Sequence, residues 1–198
     1  MKVAVLALQG DFAAHREALA ASGVATTEAR TAAELADVDG LVLPGGESTT
    51  MLKLMNGAGL AERVRALAAG GTPVLATCAG VILLAREVSH PVQASLGVLD
   101  VAVMRNGYGR QLESAVVPLT VSAADELGSS TLEGVFIRAP RVTQVGKGVR
   151  VLARRGEDPV LLRQGNVLAA TFHPELSPGS PVLDLFVRLL ASGDGRGR

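Results

Sequence analysis

The sequence predicts an α/β fold: an open, mixed and largely parallel sheet flanked by helices, with a nucleophile elbow near its centre. Three observations predict it. Short apolar runs alternate with helix-period segments from Lys2 onward, the cadence of right-handed β-α-β crossovers. Apolar residues make up 48% of the chain and aromatics only 3%, so the core is built of Val, Leu and Ala, as suits a sheet covered by helices. The run from Thr72 to Ala85 passes from an apolar strand, through the only cysteine, Cys78, directly into a helical pattern.

Each element has its own signal. Lys2 to Leu8 reads as a buried strand that stops at Gln9-Gly10-Asp11. Asp11 is placed to cap a helix whose apolar face is Phe12, Leu19 and Ala20, closed by Gly23. A short strand around Val24 to Thr27 precedes Thr31-Ala32-Ala33-Glu34, a capping-box pattern for a short helix. Gly40 to Leu43 is a third strand, ending at Pro44-Gly45-Gly46-Glu47. A helix with Ser48 as N-cap carries Met51, Leu52, Leu54 and Met55, and another runs from about Leu60 to Ala69. The helix after Cys78 sets Val81, Leu84 and Ala85 on one side.

Beyond Ser89 the segments become short and punctuated by Gly, Pro and Asp. Leu99 to Met104, Ala115 to Val121, Val135 to Arg138, Val149 to Ala153 and Val160 to Arg163 read as strands of an added antiparallel portion. Val167 to Phe172 is a last buried strand leading into His173-Pro174-Glu175, and a closing helix runs from about Pro181 to Leu190. One domain is expected over residues 1–191, with 192–198 a frayed tail.

The bulk numbers exclude several classes of function. Lys plus Arg equals Asp plus Glu at 19 each, which leaves no electrostatic case for nucleic acid or an anionic membrane. A lone cysteine cannot form an intrachain disulfide and fits a reducing compartment, and the opening apolar run is too short for a secretory signal, so a cytoplasmic protein is expected. Neither a Walker nor a dinucleotide glycine motif is present, and no metal-ligand cluster is visible, so no cofactor or metal is expected.

The chemistry gathers around Cys78. A cysteine at a strand-to-helix turn sits in a strained conformation that needs small neighbours, here Ala76, Ala79 and Gly80. The new helix points free N–H groups at the sulfur and favours the thiolate form. A thiolate attacking a carbonyl needs a base, an orienter for that base, and donors for the oxyanion. Of three histidines, His15 lies within the first helix pattern and His90 in a loop beside Pro91. His173 directly follows a buried strand, and Glu175 stands two residues on, placed to fix the tautomer of the ring. A Cys78–His173–Glu175 triad is therefore the leading hypothesis, with the Gly46 and Ala79 amides as the oxyanion donors. An inert buried cysteine and a plain turn at Gly45-Gly46 are the bland alternatives.

These residues carry a resemblance. Leu-Pro-Gly-Gly-Glu-Ser-Thr-Thr-Met (43–51), Thr-Cys-Ala-Gly (77–80), Arg-Asn-Gly-Tyr-Gly-Arg-Gln (105–111), Phe-Ile-Arg-Ala-Pro (136–140) and Phe-His-Pro-Glu-Leu (172–176) are together similar to the glutaminase-subunit family of pyridoxal phosphate synthase. That family consists of triad (class I) glutamine amidotransferases of the deoxyxylulose-independent vitamin B6 pathway, and the likeness covers nearly the whole chain. It implies a class I amidotransferase-like, flavodoxin-like fold and hydrolysis of L-glutamine to glutamate and ammonia. It implies Cys78 as nucleophile, His173 as base and Glu175 as its orienter. Gly46, Glu47 and Ser48 would line the glutamine pocket, while Arg105, Ile137 and Arg138 would hold the amino-acid end of the substrate. Gln9-Gly10 would border the oxyanion site and respond to a partner, a synthase subunit with a (β/α)8 barrel that receives the ammonia. The chain departs from the family at Ala76, where glycine is frequent, and at Gly107-Tyr108, where serine and phenylalanine are.

Other readings are an amidotransferase subunit of another pathway, a cysteine hydrolase of the other elbow-bearing α/β superfamily, and a catalytically silent binding subunit. The second group tends to have histidine directly after the nucleophile, where Ala79 stands here.

Overall fold

Val3–Leu6 (β1) shows how the chain builds its sheet. Val3 and Val5 point into one apolar cluster and Ala4 and Leu6 into the other, because successive side chains of a strand face opposite ways. All four are fully buried, as befits a central strand covered on both faces. The structure, a computed structural model, describes residues 1–108 and 115–193.

The remaining strands are Thr26–Ala29 (β2), Gly40–Leu43 (β3), Val74–Thr77 (β4), Ala85–Ser89 (β5), Leu99–Met104 (β6), Ala115–Val121 (β7), Leu132–Phe136 (β8), Arg141–Val145 (β9), Arg150–Arg155 (β10), Asp158–Gln164 (β11) and Val167–Ala170 (β12). The helices are Phe12–Ala21 (α1), Ser48–Gly57 (α2), Leu60–Ala69 (α3), Ala79–Leu84 (α4), Ala124–Leu127 (α5) and Pro181–Ser192 (α6). Nine strands form one sheet in the order β2-β1-β3-β4-β12-β11-β10-β7-β8. From β2 to β12 every pairing is parallel, and from β12 to β8 every pairing is antiparallel. A second sheet, β5-β6-β9, packs with α2, α3 and α4 on one face of the large sheet, while α1, α5 and α6 cover the other.

The structure differs from the sequence reading at several points. Asp11 stands at the N-cap of α1 but its side chain makes no capping bond; its backbone N–H instead donates to the Gly45 carbonyl at 3.2 Å. The cap of α2 is Glu47, not Ser48: its carboxylate accepts from the Thr49 and Thr50 N–H groups at 3.1 and 2.8 Å. Thr31 to Glu34 opens only a 3-10 turn, Ala33–Leu35, although Glu34 does reach back to the Thr31 N–H at 2.9 Å. Strands β5 and β9 had no place in the reading. All six residues of α4 are buried, so no periodicity marks where the helix stops, and Ala85 turns extended to begin β5. Strand β8 begins three residues before the expected Val135, and the chain bends at Arg138, whose φ is +46°. Ser192 belongs to α6, which Gly193 ends in the left-handed conformation at φ +60°. The rest of the expected tail, 194–198, and residues 109–111 of the Arg105 motif lie outside the described residues. Among the described residues no helix is long and apolar enough to cross a membrane.

Candidate active site

Four neighbouring parallel strands, β1, β3, β4 and β12, end on the same edge of the sheet. Their carboxyl ends lead into Gln9-Gly10, Gly45-Gly46, Cys78 and His173 respectively, which is where open α/β sheets hold ligands.

Cys78 is the elbow. Its φ of +46° and ψ of −103° lie where a non-glycine residue is strained, and the surroundings enforce them. The Cys78 N–H is bonded to the Ala170 carbonyl of β12 at 2.9 Å, and α4 starts so close to β3 that a Cβ on Gly80 would run into the Leu43 carbonyl oxygen. Ala76 is fully buried in β4, and the elbow forms with its methyl group in place. The thiol faces the Ile137 carbonyl at 3.8 Å.

His173 stands three residues beyond the end of β12, its backbone N–H bonded to the Val135 carbonyl at 2.9 Å. Pro174–Leu176 forms a 3-10 turn that folds Glu175 back onto the ring, with His173 Nδ1 2.7 Å from Glu175 Oε1. Burial opposes a charge on His173, but the neighbouring Cys78 and the Glu175 carboxylate outweigh it and raise the pKa to about 10. Burial pushes the Glu175 carboxyl upward; the donors His15 and His173 more than reverse this and bring it to about 2. Imidazolium and carboxylate are thus the resident forms. The ring edge has no room beside it except for glycine, since a Cβ on Gly45 would stand 2.5 Å from His173 Cε1.

Cys78 and His173 open into a cleft of about 530 Å³, which Gly46, Glu47, Ser48, Ala79, Arg105, Ile137 and Arg138 also line. Ala79 is the first residue of α4, so its N–H has no acceptor within the helix. Hydrogen bonds from the Thr50 hydroxyl and the Thr49 and Thr50 amides hold the Glu47 carboxyl down to about 2, against the upward push of burial. Arg105 bonds Glu47 Oε1 at 3.1 Å and Thr49 Oγ1 at 3.1 Å.

Gln9 and Gly10 also line the cleft. Gln9 Oε1 accepts the Glu47 backbone N–H, and Gly10, at φ +99°, lies so close to Gly45 that a Cβ would overlap the Gly45 carbonyl oxygen.

Two residues of the site escaped the sequence reading. Gln93 Oε1 accepts from Ser48 Oγ at 3.0 Å, Thr49 Oγ1 at 3.1 Å and Arg105 at 2.8 Å, so one amide oxygen ties together the cleft residues Ser48 and Arg105 and their neighbour Thr49. It follows β5 in an irregular loop and carries no local signal. His15 is fully buried on α1, its Nε2 2.9 Å from Thr77 Oγ1 and 3.3 Å from Glu175 Oε1. Its spacing of four from Leu19 put it on the buried face, which was a legible sign. His90, by contrast, is exposed and away from the cleft. Among the described residues no group of three or more His, Cys, Asp or Glu is placed to hold a metal.

A cysteine elbow with an imidazole and a carboxylate converging on it, at the carboxyl edge of a parallel sheet, defines the class: an α/β protein of the amidotransferase type. Comparison with known proteins narrows it. The chain matches the SNO glutamine amidotransferase family over residues 5–192. It is 48% identical over 194 residues to the pyridoxal 5'-phosphate synthase subunit PdxT of Koribacter versatilis, covering 98% of each chain. It is 49% identical over 201 residues to the protein of the same name from Parafrankia, covering 100% of this chain and 98% of that one. A solved structure described as a glutamine amidotransferase superposes with a TM-score of 0.87 at 45% identity, over 96% of this chain and 98% of the other. The chain belongs to the SNO glutamine amidotransferase family.

Proposed function

We infer that this chain is the glutaminase subunit of a pyridoxal 5'-phosphate synthase, releasing ammonia from L-glutamine for a synthase partner. The observation that carries the reading is the Cys78–His173–Glu175 arrangement in a cleft that Arg105 and Arg138, the residues proposed to hold the α-carboxylate, also line. The Cys78 thiolate attacks the side-chain amide carbon of glutamine. The oxyanion that forms is held by the Gly46 and Ala79 N–H groups. His173 gives its proton to the departing ammonia, leaving a γ-glutamyl thioester, and then takes a proton from the water that hydrolyses it. Glu175 keeps Nδ1–H in place throughout, so the other ring nitrogen faces the chemistry.

The partner is a separate (β/α)8-barrel subunit that docks beside Gln9-Gly10, and the reaction runs in the cytoplasm. Residues 1–191 act as one domain. The test is glutamate release from glutamine with and without the cognate synthase. Synthase-dependent glutamate formation is expected; no glutamate release in either condition would remove the reading.

A further inference from the structure

Glu175 is buried, yet among the described residues its side-chain polar contacts pass through one oxygen. Oε1 lies 2.7 Å from His173 Nδ1 and 3.3 Å from His15 Nε2, while Oε2 has no hydrogen-bond partner among them. His15 is equally enclosed, with Nε2 engaged and Nδ1 without a hydrogen-bond partner among the described residues. That asymmetry fixes the tautomer. A proton on Nδ1 would leave a buried N–H unpaired and point the Nε2 lone pair at a carboxylate oxygen. A proton on Nε2 places a donor between Glu175 Oε1 and Thr77 Oγ1 and leaves only an acceptor lone pair unmatched.

We propose that His15 is a positioning residue of the catalytic unit: its Nε2–H is the second donor that aims the Glu175 carboxylate at His173 and ties it to Thr77, the residue before the nucleophile. The proposal rests on the reading of Cys78, His173 and Glu175 as that unit. The electrostatics agree in direction, since His15 is one of the two groups whose contact lowers the pKa of Glu175. The placement matters for a second reason. His15 lies on α1, which begins directly after Gln9-Gly10, so the loop bordering the cleft and the carboxylate behind the base are joined by little more than one helical turn. A histidine that merely filled the core would need neither polar contact, and a leucine would serve as well.

The experiment compares two His15 variants with wild type in the presence of synthase. His15→Gln keeps an amide N–H where Nε2 stands; His15→Met keeps the bulk and removes the donor. For His15→Met the expected result is a fall in kcat on the order of 10- to 100-fold, the loss of a hydrogen bond to a charged group, with KM for glutamine within about twofold of wild type. His15→Gln should recover most of the rate. In a Glu175→Ala background His15→Met should bring no further loss, because nothing remains for the donor to hold. If His15→Met does not fold, judged by its thermal melt, His15→Asn replaces it, since its amide reaches only the Nδ1 position. A folded His15→Met with wild-type kcat overturns the proposal, as does an equal loss in His15→Gln and His15→Met that persists without Glu175. Cys78→Ala run in parallel separates the two claims. If it retains turnover, the triad reading falls and this proposal with it; if it is inactive while His15→Met is normal, only the role of His15 is lost.

Discussion

Gln9 Oε1 accepts the backbone N–H of Glu47, so the loop after β1 and the loop after β3 form one hydrogen-bonded unit above the cleft. Gly10 packs against the Gly45 carbonyl within that unit, and the Asp11 N–H bonds the same oxygen. Whatever moves Gln9-Gly10 therefore moves the peptides around Gly46, where an oxyanion donor is needed. Glutaminase activity should accordingly be low in the isolated chain and rise with synthase concentration at saturating glutamine. Losing one oxyanion donor typically costs on the order of 10²–10³ in rate, which sets the size of the activation. Gly10→Ala, strained at φ +99° and blocked by Gly45, should lower kcat even with synthase present. A rate already high and flat as synthase is added would contradict this gating.

The triad should fail as a unit. His173→Asn should be nearly as damaging as Cys78→Ala, and Glu175→Gln less so, with double variants little slower than the worst single. Steady-state glutamate release measures all of them. Multiplying losses in the Cys78/His173 pair would mean that the two side chains act independently.

Arg105 and Arg138 should govern glutamine affinity more than turnover. Removing one charge-assisted contact is worth roughly 1.5–3 kcal/mol, so Arg105→Ala and Arg138→Ala should each raise KM by an order of magnitude or more. Gln93→Ala should act in the same direction through Arg105 and Ser48, which it holds. Unchanged KM in all three would place the α-carboxylate elsewhere.

The shifted groups fix a pH window. The His173 pKa is raised from 6.5 to about 10, so its stabilising contribution is complete below 6.5 and lost as pH rises through about 10. The Glu175 pKa is lowered from 4.5 to about 2, so its contribution is complete above 4.5 and lost as pH falls through about 2. The Tm advantage of wild type over a His173→Asn/Glu175→Gln variant should thus be greatest between pH 4.5 and 6.5 and shrink on both sides. In NMR titration, Cys78→Ser should lower the His173 pKa, because the neighbouring Cys78 raises it.

The parallel half of the fold was readable because its central strands are short, mostly apolar and fully buried, and run into a glycine turn or the elbow, as at Gly40–Leu43 and Val74–Thr77. The antiparallel half was read with shifted strand bounds, and two strands of the second sheet, β5 and β9, were missed. Strand β5 carries Arg86 and Glu87 on exposed positions and emerges from a helix with no polar face, so nothing local announces it. The site was legible wherever chemistry coincides with a strand end. The roles of Gln93 and His15 were not, although the helical spacing of His15 from Leu19 marked it as buried, because those roles arise from contacts across 45 and 160 residues of sequence, which no window can see. Gly107 shows the same limit: a Cβ there would collide with Arg141, a contact that lies 34 residues away in sequence.

The account stands on Cys78 forming a covalent intermediate, and acid-quenching the synthase-bound enzyme during glutamine turnover tests this directly. Peptide mass mapping should then find a γ-glutamyl thioester on the Cys78 peptide, absent from Cys78→Ala and enriched in variants that slow its hydrolysis. Glutamate formed at the wild-type rate by Cys78→Ala, with no adduct on the Cys78 peptide of the wild type, would contradict it.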